Sequence, residues 1–149
     1  MGAAQAIAQL DQTNISALVD SAMSHQDPDV RAMAVSLFTY AYGTKWNSYL
    51  ARMRPRVREL LYDPHPAVQT NALANIVQSQ HAGLEIDIGM LKHLVSLLGA
   101  EERSLRVNSA ALLALTADPR ISKAMIQKLG DADAHLRANA AGSLFQILF

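Results

Sequence analysis

Five histidines and thirteen carboxylates are the side chains through which this 149-residue chain could hold a metal or move a proton. His25, His65, His81, His93 and His135 stand far apart: none is three or four residues from another, and none is followed by Glu. One helix face therefore cannot carry two of them as ligands. There is no cysteine, which removes thiolate nucleophiles, thiolate metal sites and disulfides. No Gly-x-Ser-x-Gly elbow exists, and the seven glycines are scattered and form no phosphate loop. The acids cluster where helices are expected to begin, so capping already accounts for them. No catalytic, cofactor-binding or metal-ligating residue is expected.

Two other sets of residues could recognise a partner. Residues 38 to 58 hold five of the eight aromatics (Phe38, Tyr40, Tyr42, Trp46 and Tyr49) together with Lys45, Arg52, Arg54, Arg56 and Arg58, and only Glu59 adjoins as an acid. Guanidinium groups beside aromatic rings suit phosphate, an acidic peptide or nucleic acid, so Trp46, Arg52, Arg54, Arg56 and Arg58 form a candidate anion-binding patch. The competing reading is a solvated helix face next to a long linker. Met33, Asn71, Asn108 and Asn139, with Tyr40, Gln78, Leu115 and Gln146 seven residues further on, recur at one register. Such amides could bind an extended peptide, or could bridge neighbouring helices as an Asn ladder. Exposure of the amides separates these two.

What positions these residues is a repeat. Ile15, Met53, Met90 and Ile121 each begin the same apolar skeleton. It continues four residues on with Val19, Val57, Leu94 and Met125, and four further with Met23, Leu61, Leu98 and Leu129. After a seven-residue break come Val30, Val68, Leu105 and Leu136, then the small Ala34, Ala72, Ser109 and Ala140, then Phe38, Ile76, Leu113 and Leu144. Steps of four, a break, and steps of four again describe two amphipathic helices joined by a tight turn. The copies span about 13–43, 44–82, 83–118 and 119–149, in one domain covering 1–149. Ala3 and Ile7 fit the second-helix register of a partial copy in residues 1–11. The two ends lack polar capping units, so the expectation is a segment of a longer array, or self-association through exposed ends.

Each second helix is expected to open on a capping acid: Asp27, Asp63, Glu101 with Glu102, and Asp131 with Asp133. Pro28 and Pro64 suit the first turn. Asp27 with Arg31, Glu102 with Arg106, and Asp133 with Arg137 stack opposite charges along a helix edge, within a copy and between copies, and Gln69 breaks this series in copy two. Small residues such as Ala32, Ala74, Ala111, Ala138 and Gly142 let neighbouring helices approach.

The run Asp27-Pro28-Asp29-Val30-Arg31, the small residue four after the hydrophobe, and Pro55 inside a first helix together resemble HEAT repeats of the short bacterial type. The resemblance covers nearly the whole chain. It implies an all-α fold, an α-α superhelix (HEAT/armadillo-type solenoid) of about four hairpins with second helices lining the concave side. It implies a non-enzymatic scaffold or domain-holding module that binds a protein or peptide, with no cofactor. Alternatives are a phycobilin-lyase-like or chaperone-like HEAT protein, and nucleic-acid or phosphate binding through Arg52 to Arg58. The metal-dependent deoxyhypusine hydroxylases carry His-Glu steps, whereas this chain reads His65-Pro66, His81-Ala82 and His93-Leu94. Alkylpurine glycosylases need a basic face and several tryptophans, and here Trp46 stands alone. Thirteen basic and thirteen acidic residues leave no net charge to attract nucleic acid over the whole surface. No apolar run is long enough to span a bilayer, so membrane insertion is not expected and the cytoplasm is the expected location.

Overall fold

The computed structural model describes residues 12–41, 55–78 and 86–149, and these are all-helical. Helix α1 (Gln12–Met23) turns through residues 24–27 into α2 (Pro28–Ala41), which packs against it. The helical stretch 55–59, α3, tightens into a 3-10 turn at Leu60–Tyr62 and is followed by α4 (Pro66–Gln78). Helix α5 (Ile88–Leu97) pairs with α6 (Arg103–Ala114). A 3-10 turn at Pro119–Ile121 leads into the short α7 (Ser122–Lys128), which pairs with α8 (Ala134–Leu148), and α8 also packs on α6. The helices group into two compact units, residues 1–75 and 76–149. No described helix is long and apolar enough to cross a membrane.

The skeleton forms the core. Val19, Val57, Leu94 and Met125 are buried, as are Met23, Leu61 and Leu98 in the last turns of their first helices. Ala34, Ala72, Ser109 and Ala140 are all sealed, which is why the position takes only small residues. Ser109 adds a hydroxyl there and satisfies it by donating to the Leu94 carbonyl at 2.5 Å, across the hairpin. Among the described skeleton residues Val30 and Leu144 are only half-buried, and one is exposed. Leu98 is 3% exposed, yet its counterpart Leu129 is 43% exposed, because no described element covers that side of α7.

The caps follow the sequence in part. Asp27, Asp63 and Asp133 each accept from the backbone N–H two residues on, at 2.9 Å, and Asp131 accepts from Asp133 at 3.0 Å. Glu102 precedes α6 without a side-chain cap bond, a correction to the expected role of Glu101 and Glu102: the one extra methylene of a Glu carries its carboxylate past the adjacent N–H groups that an Asp meets. Pro28 opens α2 as expected, but Pro64 lies in the turn and Pro66 takes the first helical position. Asp87 and Asp118 cap the first helical elements of the third and fourth hairpins, accepting from Met90 and Arg120.

Within a copy the expected acid and arginine make no direct ion pair, although the charge of Asp27 still acts on Arg31. Each of those arginines instead turns its Nη1 back on the hairpin turn. Arg31 donates to the carbonyls of His25 and Gln26, Arg106 to those of Ala100 and Glu101, and Arg137 to those of Asp131 and Ala132, all at 2.6–2.9 Å. These carbonyls have no helical partner, and a charged donor satisfies two at once. Gln69 performs the same task, its amide donating to the Asp63 carbonyl at 2.7 Å, so copy two keeps the clamp that its missing arginine had appeared to break.

Candidate functional site

The repeated amides are where the sequence left two readings open. Asn71 donates to the Ala32 carbonyl at 2.8 Å, and Asn139 to the Val107 carbonyl at 3.3 Å. Ala32 and Val107 both lie two residues past their turn hydrophobes, Val30 and Leu105, while Asn71 and Asn139 lie three past theirs. One register thus bridges α2 to α4 in the first unit and α6 to α8 in the second. Both amides are half-buried and act as an Asn ladder, as is expected where the close approach of second helices would otherwise desolvate a carbonyl. Asn108 is half-buried. Of the rest of that set, Met33 is 66% exposed, Gln78 and Gln146 are exposed, and the side chain of Tyr40 lies outside those described.

A second seam runs beside the ladder. The remaining two donors of Arg31, Nε and Nη2, grip both oxygens of Asp63 at 2.7 and 2.9 Å. Asp63 stands in the turn of the following hairpin. Burial works to raise the Asp63 carboxyl, but the Arg31 guanidinium and the His65 N–H outweigh it and hold the group below the ordinary carboxylate range. The fourth hairpin carries the counterpart. Asp131 is lowered by the Asp133 N–H and by Lys128 at 3.2 Å, with a further pull from the charge of Arg106 in the preceding copy. Arg103 and Asp133 form another pair between the third and fourth copies, and the Arg103 Nη2 also meets His135 Nδ1 at 3.0 Å.

The anion-binding patch divides. Trp46, Arg52 and Arg54 lie outside the described residues. Arg56 is engaged: it pairs with Glu59, and its Nη2 donates to Ser24 Oγ at 2.9 Å and to the Met23 carbonyl at 3.4 Å. It therefore acts as a cationic cap on the end of α1, where the helix dipole is negative. Arg58 is half-buried and has an interaction partner. Among the described residues no group of three or more His, Asp or Glu is placed to hold a metal ion. His25 and His65 lie in turns, and His135 sits in the first turn of α8.

A further apolar surface lies on α7 and α8, of which the sequence marked Ala138 and Gly142 as small residues suited to helix approach. Each residue there has a counterpart thirty-one positions earlier on α5 and α6. On α6 the stripe of Val107, Ala110, Ala111 and Ala114 is half-buried or fully buried. The matching stripe of α8, Ala138, Ala141, Gly142 and Phe145, is exposed, with Phe145 at 64%. Ile126 at 59% and Leu129 extend it onto α7. Phe145 stacks at 5.1 Å on Phe149, which is itself exposed. The signal was available in the register: Phe145 is the one aromatic at a position that reads Thr39, Val77 and Ala114 in the other copies.

No protein-family model and no curated protein sequence matches the chain. It is similar in fold to a crystal structure of an engineered protein from the Northeast Structural Genomics Consortium, with a TM-score of 0.71 at 20% identity, over 98% of this chain and 67% of that one.

Proposed function

We propose that this chain is a non-enzymatic protein-binding module, a HEAT-type α-α solenoid segment that engages a protein partner through apolar side chains. One observation carries the reading. The repeated polar groups are consumed in holding hairpins to their own turns and to each other, while large apolar residues such as Met33, Ile126, Phe145 and Leu148 face solvent. Burying such residues is what association gains from, at roughly 25 cal/mol per Å² of apolar surface. The amides Asn71 and Asn139 are structural in this reading and not peptide ligands.

The test is co-purification from the source cells with wild-type chain, Met33→Glu and Phe145→Glu side by side. A defined protein held by the wild type and lost with at least one variant is the expected result. An identical set of co-purifying proteins from all three overturns the proposal.

A further inference from the structure

We infer that the two compact units are separately cooperative, each a pair of hairpins held by its own polar seams, so that one unit opens while the other stays folded. This goes beyond the binding reading and does not depend on it.

The four hairpins alternate in kind. Five residues before the turn hydrophobe the second and fourth carry Asp63 and Asp131, where the first and third carry His25 and Ala100. Seven residues after it the second and fourth carry Asn75 and Ser143, where the first and third carry Leu37 and Leu112. Both of these polar residues are buried, and Asn75 Nδ2 and Ser143 Oγ have no hydrogen-bond partner. The chain is therefore a pair of pairs, and the division between units falls directly after Asn75.

Within each unit, side chains of one hairpin hold the other. In the first, Arg31 grips Asp63, Asn71 donates to the Ala32 carbonyl, and Arg56 donates to Ser24. In the second, Arg103 pairs with Asp133 and Asn139 donates to the Val107 carbonyl, while Arg106 acts on Asp131 through its charge alone. The second and third hairpins lack the residues for such a set. Gln69 stands at the register of Arg31 and Ala100 at that of Asp63, so neither the cation nor the carboxylate is present. Asn108, the ladder residue of the third hairpin, makes no side-chain hydrogen bond among the described residues. The first unit also ends on the unmet buried donor of Asn75, which costs stability where a leucine would cost none. A repeat array stays cooperative only where neighbouring copies are well coupled, and it divides where that coupling is weakest. A partner that distorts one half then leaves the core of the other intact.

Native-state hydrogen exchange of the full chain, read by mass spectrometry on peptides from α2, α4, α6 and α8, tests this. Asn71→Ala is expected to speed the slowest amides of α2 and α4 about fivefold and to leave those of α6 and α8 at wild-type rates. Asn139→Ala is expected to do the reverse by a smaller factor. Asp63→Asn repeats the first measurement through a second contact of the first unit. Gln69→Arg combined with Ala100→Asp supplies the missing pair while an arginine keeps the turn clamp, and in that background Asn71→Ala is expected to reach α6 and α8 as well. Any of the three single variants speeding the slowest amides of all four helices equally shows one cooperative body and overturns the inference. A repaired chain in which the effect stays within α2 and α4 overturns the assignment of the division to the missing seam. Partner retention enters none of these rates, so this inference and the binding proposal fail separately.

Discussion

The Arg31 guanidinium holds Asp63, thirty-two residues away, by two parallel hydrogen bonds of 2.7 and 2.9 Å. Its third nitrogen closes the turn of its own hairpin at the same time. One side chain thus fixes a turn and locks the next hairpin to it. Both side chains are largely shielded from solvent, which makes the pair more than a surface ornament.

This pair sets an acid dependence. The Asp63 carboxyl is held below its unfolded value of about 3.9, so its stabilisation is present above about pH 4 and is lost as pH falls through the lower folded value. Asp118, Asp131 and Asp133 shift the same way and add to the loss. Thermal melts from pH 7 down to pH 2 are expected to show a falling melting temperature below about pH 4. Asp63→Asn should cost about 2 kcal/mol at neutral pH, and its deficit should shrink as the solution is acidified. A deficit independent of pH would contradict the pairing.

The Asn ladder makes a prediction about stability and not about binding. Asn71→Ala removes the only donor shown for the Ala32 carbonyl outside its helix, at a cost of about 1 kcal/mol. Asn139→Ala, whose bond is longer at 3.3 Å, should cost less. Urea melts of the two variants check the order. Variants as stable as the parent would show that the amides are free to serve a ligand.

Much of the fold was legible because the repeat spacing fixes which residues share a helix face, and Leu94, Met125, Ala72 and Ala140 are buried as that spacing requires. The polar seams were harder to read. A capping Asp and an Arg four residues on look like one local pair, but the arginines serve turn carbonyls and, in Arg31, a carboxylate in the next copy. Only comparison across copies exposes this. Arg31 precedes Asp63 and Arg106 precedes Asp131, while Gln69 precedes Ala100, so the copy without an arginine is followed by the copy without a turn aspartate. The exposed face of α8 was legible only in part: Phe145 stands out in the register, but its apolar residues follow the same period as core residues, and periodicity does not tell which faces find a neighbour.

Gly142 offers a gain of stability. It lies inside α8, where glycine costs the helix about 0.5–1 kcal/mol relative to alanine, and an added Cβ there meets nothing within 4 Å. Gly142→Ala should raise stability by that amount in a denaturant melt. An unchanged or lower midpoint would mean that the site is crowded in solution, as an occupied docking face would be.

Ser109 tests why the second helices carry small residues at one register. It is fully buried and stands where the other three copies have alanine, and its hydroxyl is satisfied by the Leu94 carbonyl at 2.5 Å. Ser109→Ala removes donor and cost together, and the carbonyl can keep its place in α5, so the change should stay within about 1 kcal/mol. Ser109→Leu keeps the site apolar but adds volume between two helices packed at the density of a crystal, which should cost about 1–3 kcal/mol through forced rotamers and helix displacement. Hydrophobicity alone would rank leucine above alanine; close approach of the hairpin helices ranks alanine far above leucine. Urea midpoints of the two variants decide between these orders, and a leucine variant as stable as the alanine one would remove the packing account of the small-residue register.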